Sequence, residues 1–92
     1  MLPRSQSLPS TTASKPASGK AVLGTVAITA DLGDIVKRLR NQQGLTQGAL
    51  AEWAGTGERF IVDLERGKPT LQLDKVLAVL DTLGARLAVM ER

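Results

Sequence analysis

The chain of 92 residues contains no Cys, no His and no Tyr, and only one Trp and one Phe. Without Cys and His there can be no disulfide and no thiol chemistry, and nearly every transition-metal site is excluded. All five serines (Ser5, Ser7, Ser10, Ser14 and Ser18) lie near the N-terminus. The rest of the chain is left with Thr, Lys, Arg, Asp and Glu as reactive groups, and none has an obvious activating neighbour. An enzyme is not expected, nor is any cofactor or metal. No apolar run approaches the length that spans a bilayer, and no hydrophobic segment follows Arg4 as in a secretory signal. The expectation is a cytoplasmic protein without a membrane partner.

What is present divides the chain unevenly. Residues 1–20 are rich in Ser, Thr, Pro and Ala and carry little that can be buried, so they read as a disordered tail. The net charge of +3 and the pI of about 9.8 belong to this stretch, which holds Arg4, Lys15 and Lys20 and no acid. The remainder has as many acidic as basic residues. A nucleic-acid reading therefore needs cations gathered on one face, because bulk charge does not supply it. Residues 21–28 are β-branched and apolar and read as a linker or a short strand. The folding part, from Thr29 onward, is only about 64 residues, a marginal size for one unstapled core, so oligomerisation is expected.

Within that part, hydrophobic spacing predicts helices. Thr29 reads as an N-cap with Asp31 in the first turn; Leu32, Ile35, Val36 and Leu39 follow at helical intervals, and Gly44 ends the helix. Thr46 caps a second helix with Leu50, Ala51 and Ala54 on one side, closed by Gly55. A third begins near Gly57, carries Phe60, Ile61 and Leu64, and stops at Arg66-Gly67 before Pro69. A fourth fits Leu73, Val76, Leu77 and Leu80 and closes at Leu83, before Gly84. The final alternation around Leu87 and Val89 reads as a strand of about six residues.

Two short helices interrupted by Gly55-Thr56-Gly57 cross steeply, as a helix-turn-helix does, and leave the second free to lie in a DNA major groove. The register of Thr46, Gln47, Leu50, Ala51, Ala54, Gly55, Ile61, Leu64, Glu65, Gly67 and Lys68 resembles the helix-turn-helix of lambdoid phage repressors and Xre-type regulators. The run from Arg59 through Thr70 is similar, more narrowly, to the HipB-type antitoxins. The fold implied is an all-α, lambda-repressor-like domain of four to five helices over 29–84. It ends in a C-terminal β-strand, 85–92, paired across a dimer.

The resemblance implies binding to palindromic operator DNA and autorepression. It also implies a second partner, a HipA-type serine/threonine kinase toxin held inactive. In that pattern the DNA-facing residues are Gln47, Gly57, Glu58, Arg59, Val62, Asp63, Arg66 and Lys68. Arg59 is the best base reader, because its fork matches O6 and N7 of guanine. Glu58 and Asp63 depart from the Gln, Ser or Asn common there. Near phosphates they are tolerated if Glu58 accepts from a cytosine amino group, or if they pair with Arg59 or Arg66. Arg40 and Glu65 stand where the family has a partly buried salt bridge. Leu71 and Val79, off the main stripe of the fourth helix, together with Arg86, Leu87, Ala88, Val89 and Met90, are expected at the dimer seam. Core filling is the expected role of Trp53 and Phe60, with a partner surface as the alternative. Two rival functions stand beside the antitoxin: a free-standing Xre-type regulator without a toxin, and a module that binds only protein.

Overall fold

A computed structural model describes residues 21–92; the expected tail, 1–20, lies outside the described residues. Four helices follow in order: α1 (Thr29–Gln42), α2 (Gln47–Ala54), α3 (Glu58–Glu65) and α4 (Leu73–Thr82). α3 packs against both α1 and α2, and α2 also packs against α4. The shared core is Val36 and Leu39 from α1, Leu50 and Ala51 from α2, Ile61 and Leu64 from α3, and Val76, Val79, Leu80 and Leu83 from the α4 end. No strand occurs among the described residues, and none of their helices is long and apolar enough to cross a membrane.

The start of α1 differs from expectation. Ile28, in extended conformation, is the N-cap, and Thr29 is already helical. The capping oxygen comes from Asp31 instead, whose carboxylate accepts from the backbone N–H of Ala27 at 2.9 Å and of Ile28 at 3.1 Å. The Thr29 hydroxyl donates to the Gly67 carbonyl at 2.6 Å and so ties the head of α1 to the loop after α3. The two backbone donors hold the Asp31 carboxyl below its ordinary value of 3.8. A carboxyl depressed in the folded state stabilises above its unfolded value and loses that contribution as pH falls through its folded value. In urea unfolding, the advantage of the native protein over Asp31→Asn should be constant from neutral pH down to about 5 and shrink progressively as the pH falls through 3.8 and below.

Two glycines decide how closely α1 and α3 approach. A Cβ on Gly33 would stand 2.5 Å from the Leu64 carbonyl oxygen, and one on Gly67 would stand 2.7 Å from Ala30 Cα. Gly67 also has φ of +79°, which an L side chain rarely adopts. The last turn of α3 therefore lies directly on the backbone of α1, and the tilt of α3 is set by contact rather than by a flexible joint.

The fourth helix faces the core with a different side from the one expected. Val79 is 0% exposed and belongs to the core, so it cannot line a dimer seam. Leu73 and Leu77, expected inside, point outward. Both stripes have helical spacing; packing against α2 selects Val76, Val79, Leu80 and Leu83. Leu71 is half-buried against the same core. Trp53 is also corrected: it is 77% exposed, because the inward side of α2 is taken by Leu50, Ala51 and Ala54. Phe60 is half-buried against the core, with Lys75 Nζ 5.8 Å from its ring centroid.

Residues 85–92 carry neither helix nor strand within the single chain, and Leu87, Val89 and Met90 are exposed. Residues 21–28 form no ladder with them. They lie along α1 instead, where Arg38 Nη2 donates to the Leu23 carbonyl at 2.7 Å.

Candidate nucleic-acid interface

The turn between α2 and α3 is built by backbone conformation. Gly55 caps α2 in the left-handed region, with φ of +74°, and the N–H of Thr56 donates to the Ala51 carbonyl at 2.9 Å. With the Gly55 N–H donating to the Glu52 carbonyl at 3.3 Å, this is a Schellman ending, whose left-handed residue glycine supplies without a Cβ penalty. Gly57 then restarts the chain as the N-cap of α3. Ile61 and Leu64 anchor α3 inward, so Glu58, Arg59, Val62 and Asp63 share its outer side.

The expected salt bridge forms beneath that helix. Arg40 Nε donates to Glu65 Oε2 at 2.6 Å and Nη2 donates to Oε1 at 3.0 Å, with side chains 11% and 5% exposed. Arg40 Nη1 donates to the Leu45 carbonyl at 2.8 Å, so one guanidinium joins α1, the α1–α2 loop and the end of α3. Hydrogen bonding to Glu65 raises the Arg40 pKa further above its already high ordinary value, against the opposing effect of burial. Gln47 enters the same network: its Nε2 donates to Glu65 Oε1 at 3.2 Å. One amide N–H of the expected DNA contact is thus engaged inside the protein, and that engagement fixes the side chain at the start of α2.

Of the two acids on the outer side of α3, Asp63 has cationic partners and Glu58 has none among the described residues. Asp63 sits 3.2 Å from Arg59 Nε and 3.7 Å from Lys68 Nζ. Arg66, the other cation considered for it, has no such contact with it among the described residues. Glu58 reaches over the first turn of α2, where a Cβ on Gly48 would lie 3.2 Å from Glu58 Oε1. Gly48 leaves room for that carboxylate at the positive end of a helix dipole.

An open cleft lies where α1, the start of α2 and the end of α3 meet, lined by Lys37, Arg40, Gln47, Val62, Glu65 and Arg66. Arg40 and Glu65 neutralise each other, so Lys37 and Arg66 leave the cleft positive. Lys37 is absent from the residues expected at the interface. Its signal was its place three residues before Arg40, on the side of α1 that borders α3. Leu73 and Leu77 were likewise missed as exposed apolar positions. Of the expected seam, Arg86 to Met90 are exposed and Leu71 is half-buried.

The family model described as a helix-turn-helix domain matches residues 31–92. An uncharacterized HTH-type transcriptional regulator, y4mF of Sinorhizobium fredii (strain NBRC 101917 / NGR234), is 54% identical over 61 residues, covering 66% of this chain and 80% of that protein. Among solved structures, the HipA-HipB-O2-O3 complex contains a chain that matches with a TM-score of 0.68 at 22% identity, over 74% of this chain and 96% of that one. The clp gene regulator ClgR from Corynebacterium glutamicum matches with a TM-score of 0.57 at 25% identity, over 67% of each chain. The four-helix arrangement is thus the one found in a HipB-like helix-turn-helix.

Proposed function

The chain belongs to the helix-turn-helix domain family of transcriptional regulators, and on that premise we propose that it is a dimeric, sequence-specific operator-binding repressor of the HipB antitoxin type. The observation that carries the DNA reading is the α3 outer face. Arg59 is exposed there, α3 is held rigidly on α1, and the cationic Lys37–Arg66 cleft opens beside it. In this reading Arg59 reads a base edge, while Lys37, Arg66, Lys68 and the amides at Gly57 and the start of α2 position the phosphates. Val62 supplies an apolar contact, and Gln47 offers its free amide atoms. Glu58 stays over α2.

Binding assays on an operator selected from a random duplex pool, and on scrambled DNA, test this at several salt concentrations. Arg59→Ala should cost about 1–3 kcal/mol and relax preference at one base pair. Lys37→Ala and Lys68→Ala should weaken all sequences about equally and each lower the salt slope by roughly one. Unchanged discrimination in Arg59→Ala would remove it from the readout.

Two copies are needed for a palindrome, since two-fold symmetry places two α3 helices about 34–36 Å apart in successive major grooves. Residues 86–90 are proposed to pair with their own copy, because their apolar side chains and backbone groups find no ladder among the described residues. Ending the chain after Gly84 should give a monomer by sedimentation at micromolar concentration, with operator affinity falling far more than non-specific affinity. A truncated chain that remains a dimer would move the seam to the exposed Leu73 and Leu77 and the neighbouring Leu71.

The antitoxin role rests on the likeness to the chain in the HipA-HipB-O2-O3 complex and on the motif from Arg59 to Thr70. A HipA-type kinase co-purifying from the native host would support it. Its absence, with operator binding intact, would favour the free-standing regulator.

A further inference from the structure

We propose that Asp63 is a specificity-determining residue of the DNA face, acting by holding Arg59 in position and by opposing phosphates that arrive in the wrong register. The inference rests on the operator-binding reading above. Three observations carry it. The Asp63 side chain is only 17% exposed although it lies on the outer side of α3, so it is fixed at the base of that face. Its Oδ1 stands 3.2 Å from Arg59 Nε and its Oδ2 stands 3.7 Å from Lys68 Nζ, so a single carboxylate serves two cations from two elements. Arg59, in contrast, is 76% exposed, with the Asp63 carboxylate beside its Nε and its outer guanidinium facing solvent.

The geometry does two things at once. A long arginine left to itself samples many rotamers and binds any nearby phosphate. With the Asp63 charge beside Nε, rotamers that keep this end near α3 are favoured, and the two Nη groups are left as a planar fork for O6 and N7 of guanine. Meeting a guanine edge leaves the Arg59–Asp63 contact intact. A phosphate drawn to Arg59 must instead compete with the carboxylate already there and endure its repulsion, whereas the Lys68 phosphate contact bears the same penalty on every sequence. Asp63 therefore weakens binding to any sequence but weakens it least on the correct one. An acid on a DNA-facing helix lowers affinity and raises discrimination.

The test uses the full chain, a duplex that the wild-type protein enriches from a random pool, and a scrambled duplex of equal length. Affinities for both are measured across a salt series for wild type, Asp63→Asn and Asp63→Glu. The thermal midpoint and circular dichroism of each are recorded alongside. Asp63→Asn should steepen the salt slope on scrambled DNA by about one per chain, a gain in affinity at 0.1 M salt of roughly tenfold for each chain that contacts the duplex. Its affinity for the selected duplex should rise less, so the ratio of the two falls. Asp63→Glu, which keeps the charge within reach of Arg59, should retain the wild-type ratio. Adding Asp63→Asn to a chain that already carries Arg59→Ala and Lys68→Ala should leave the slope nearly unchanged, since the cations it releases are gone.

A lowered midpoint with an unchanged ratio would make Asp63 only structural and overturn the proposal. Loss of affinity for the selected duplex, with scrambled binding unaltered, would overturn it in favour of Asp63 accepting from a base. Should Asp63→Asn fail to fold, Asp63→Ser removes the same charge with a smaller side chain and is read by the same criteria. Failure of the wild-type protein to enrich or bind any duplex would instead refute the operator-binding reading itself.

Discussion

Replacing Arg40 by Met should destabilise the domain by about 3–5 kcal/mol. The Glu65 carboxylate, 5% exposed, would keep only the Gln47 amide at 3.2 Å, and the Leu45 carbonyl would lose its donor. Glu65→Met should cost a similar amount, because it leaves a guanidinium with one carbonyl partner at the α1–α3 junction. Replacing both with apolar residues should cost far less than either change alone and could even stabilise, since desolvating the two charges offsets much of their attraction. Urea unfolding of the four proteins gives the coupling directly. A coupling near zero would mean that solvent reaches the pair and that α3 is held to α1 by Gly33 and Gly67 alone. Because folded domains hold only about 5–15 kcal/mol, either single change should leave a substantial unfolded population at 37 °C.

Leu64→Ala is expected to be of comparable size, about 2–5 kcal/mol. Leu64 is 1% exposed, and its carbonyl lies against Gly33 on α1. The backbone contact prevents α3 from closing over the space left by the side chain, so the cavity persists and its cost adds to the lost transfer energy. The informative comparison is Leu77→Ala on α4. Leu77 is 44% exposed, so within one chain its removal should change stability by no more than about 0.5 kcal/mol. If the loss proves larger and grows with protein concentration, Leu77 is covered by a second copy. Chemical denaturation at two concentrations a hundredfold apart separates these outcomes.

The contrast between Leu77 and Val79 shows how far the sequence could be read. Leu73, Val76, Leu77 and Leu80 are spaced as one helical stripe, and so are Val76, Val79, Leu80 and Leu83. Spacing established that α4 is a helix but left its inward side undecided between two stripes about a sixth of a turn apart. For Trp53 core filling stood beside a partner surface as the alternative, and the structure leaves it exposed because Leu50, Ala51 and Ala54 fill the inward side of α2. Residues 85–92 alternate as a strand would, yet a strand needs a neighbour, and the described residues offer none.

What the sequence determined by itself is local. Helical spacing located α1 to α4, and Thr46, Gly55 and Gly67 marked their ends, because caps and left-handed turns depend on a residue and its near neighbours. The helix-turn-helix register, including Arg40 opposite Glu65, was legible through its resemblance to known repressors. Tertiary structure decided which side of α4 is buried and how Gln47 turns toward Glu65. It also placed Lys37 on a cleft with Arg66 and made one carboxylate, Asp63, hold both Arg59 and Lys68. Most of these outcomes depend on residues far apart in the chain being packed at van der Waals contact, where a side chain's partner is set by the crossing of two helices. Periodicity along one helix carries no information about that crossing.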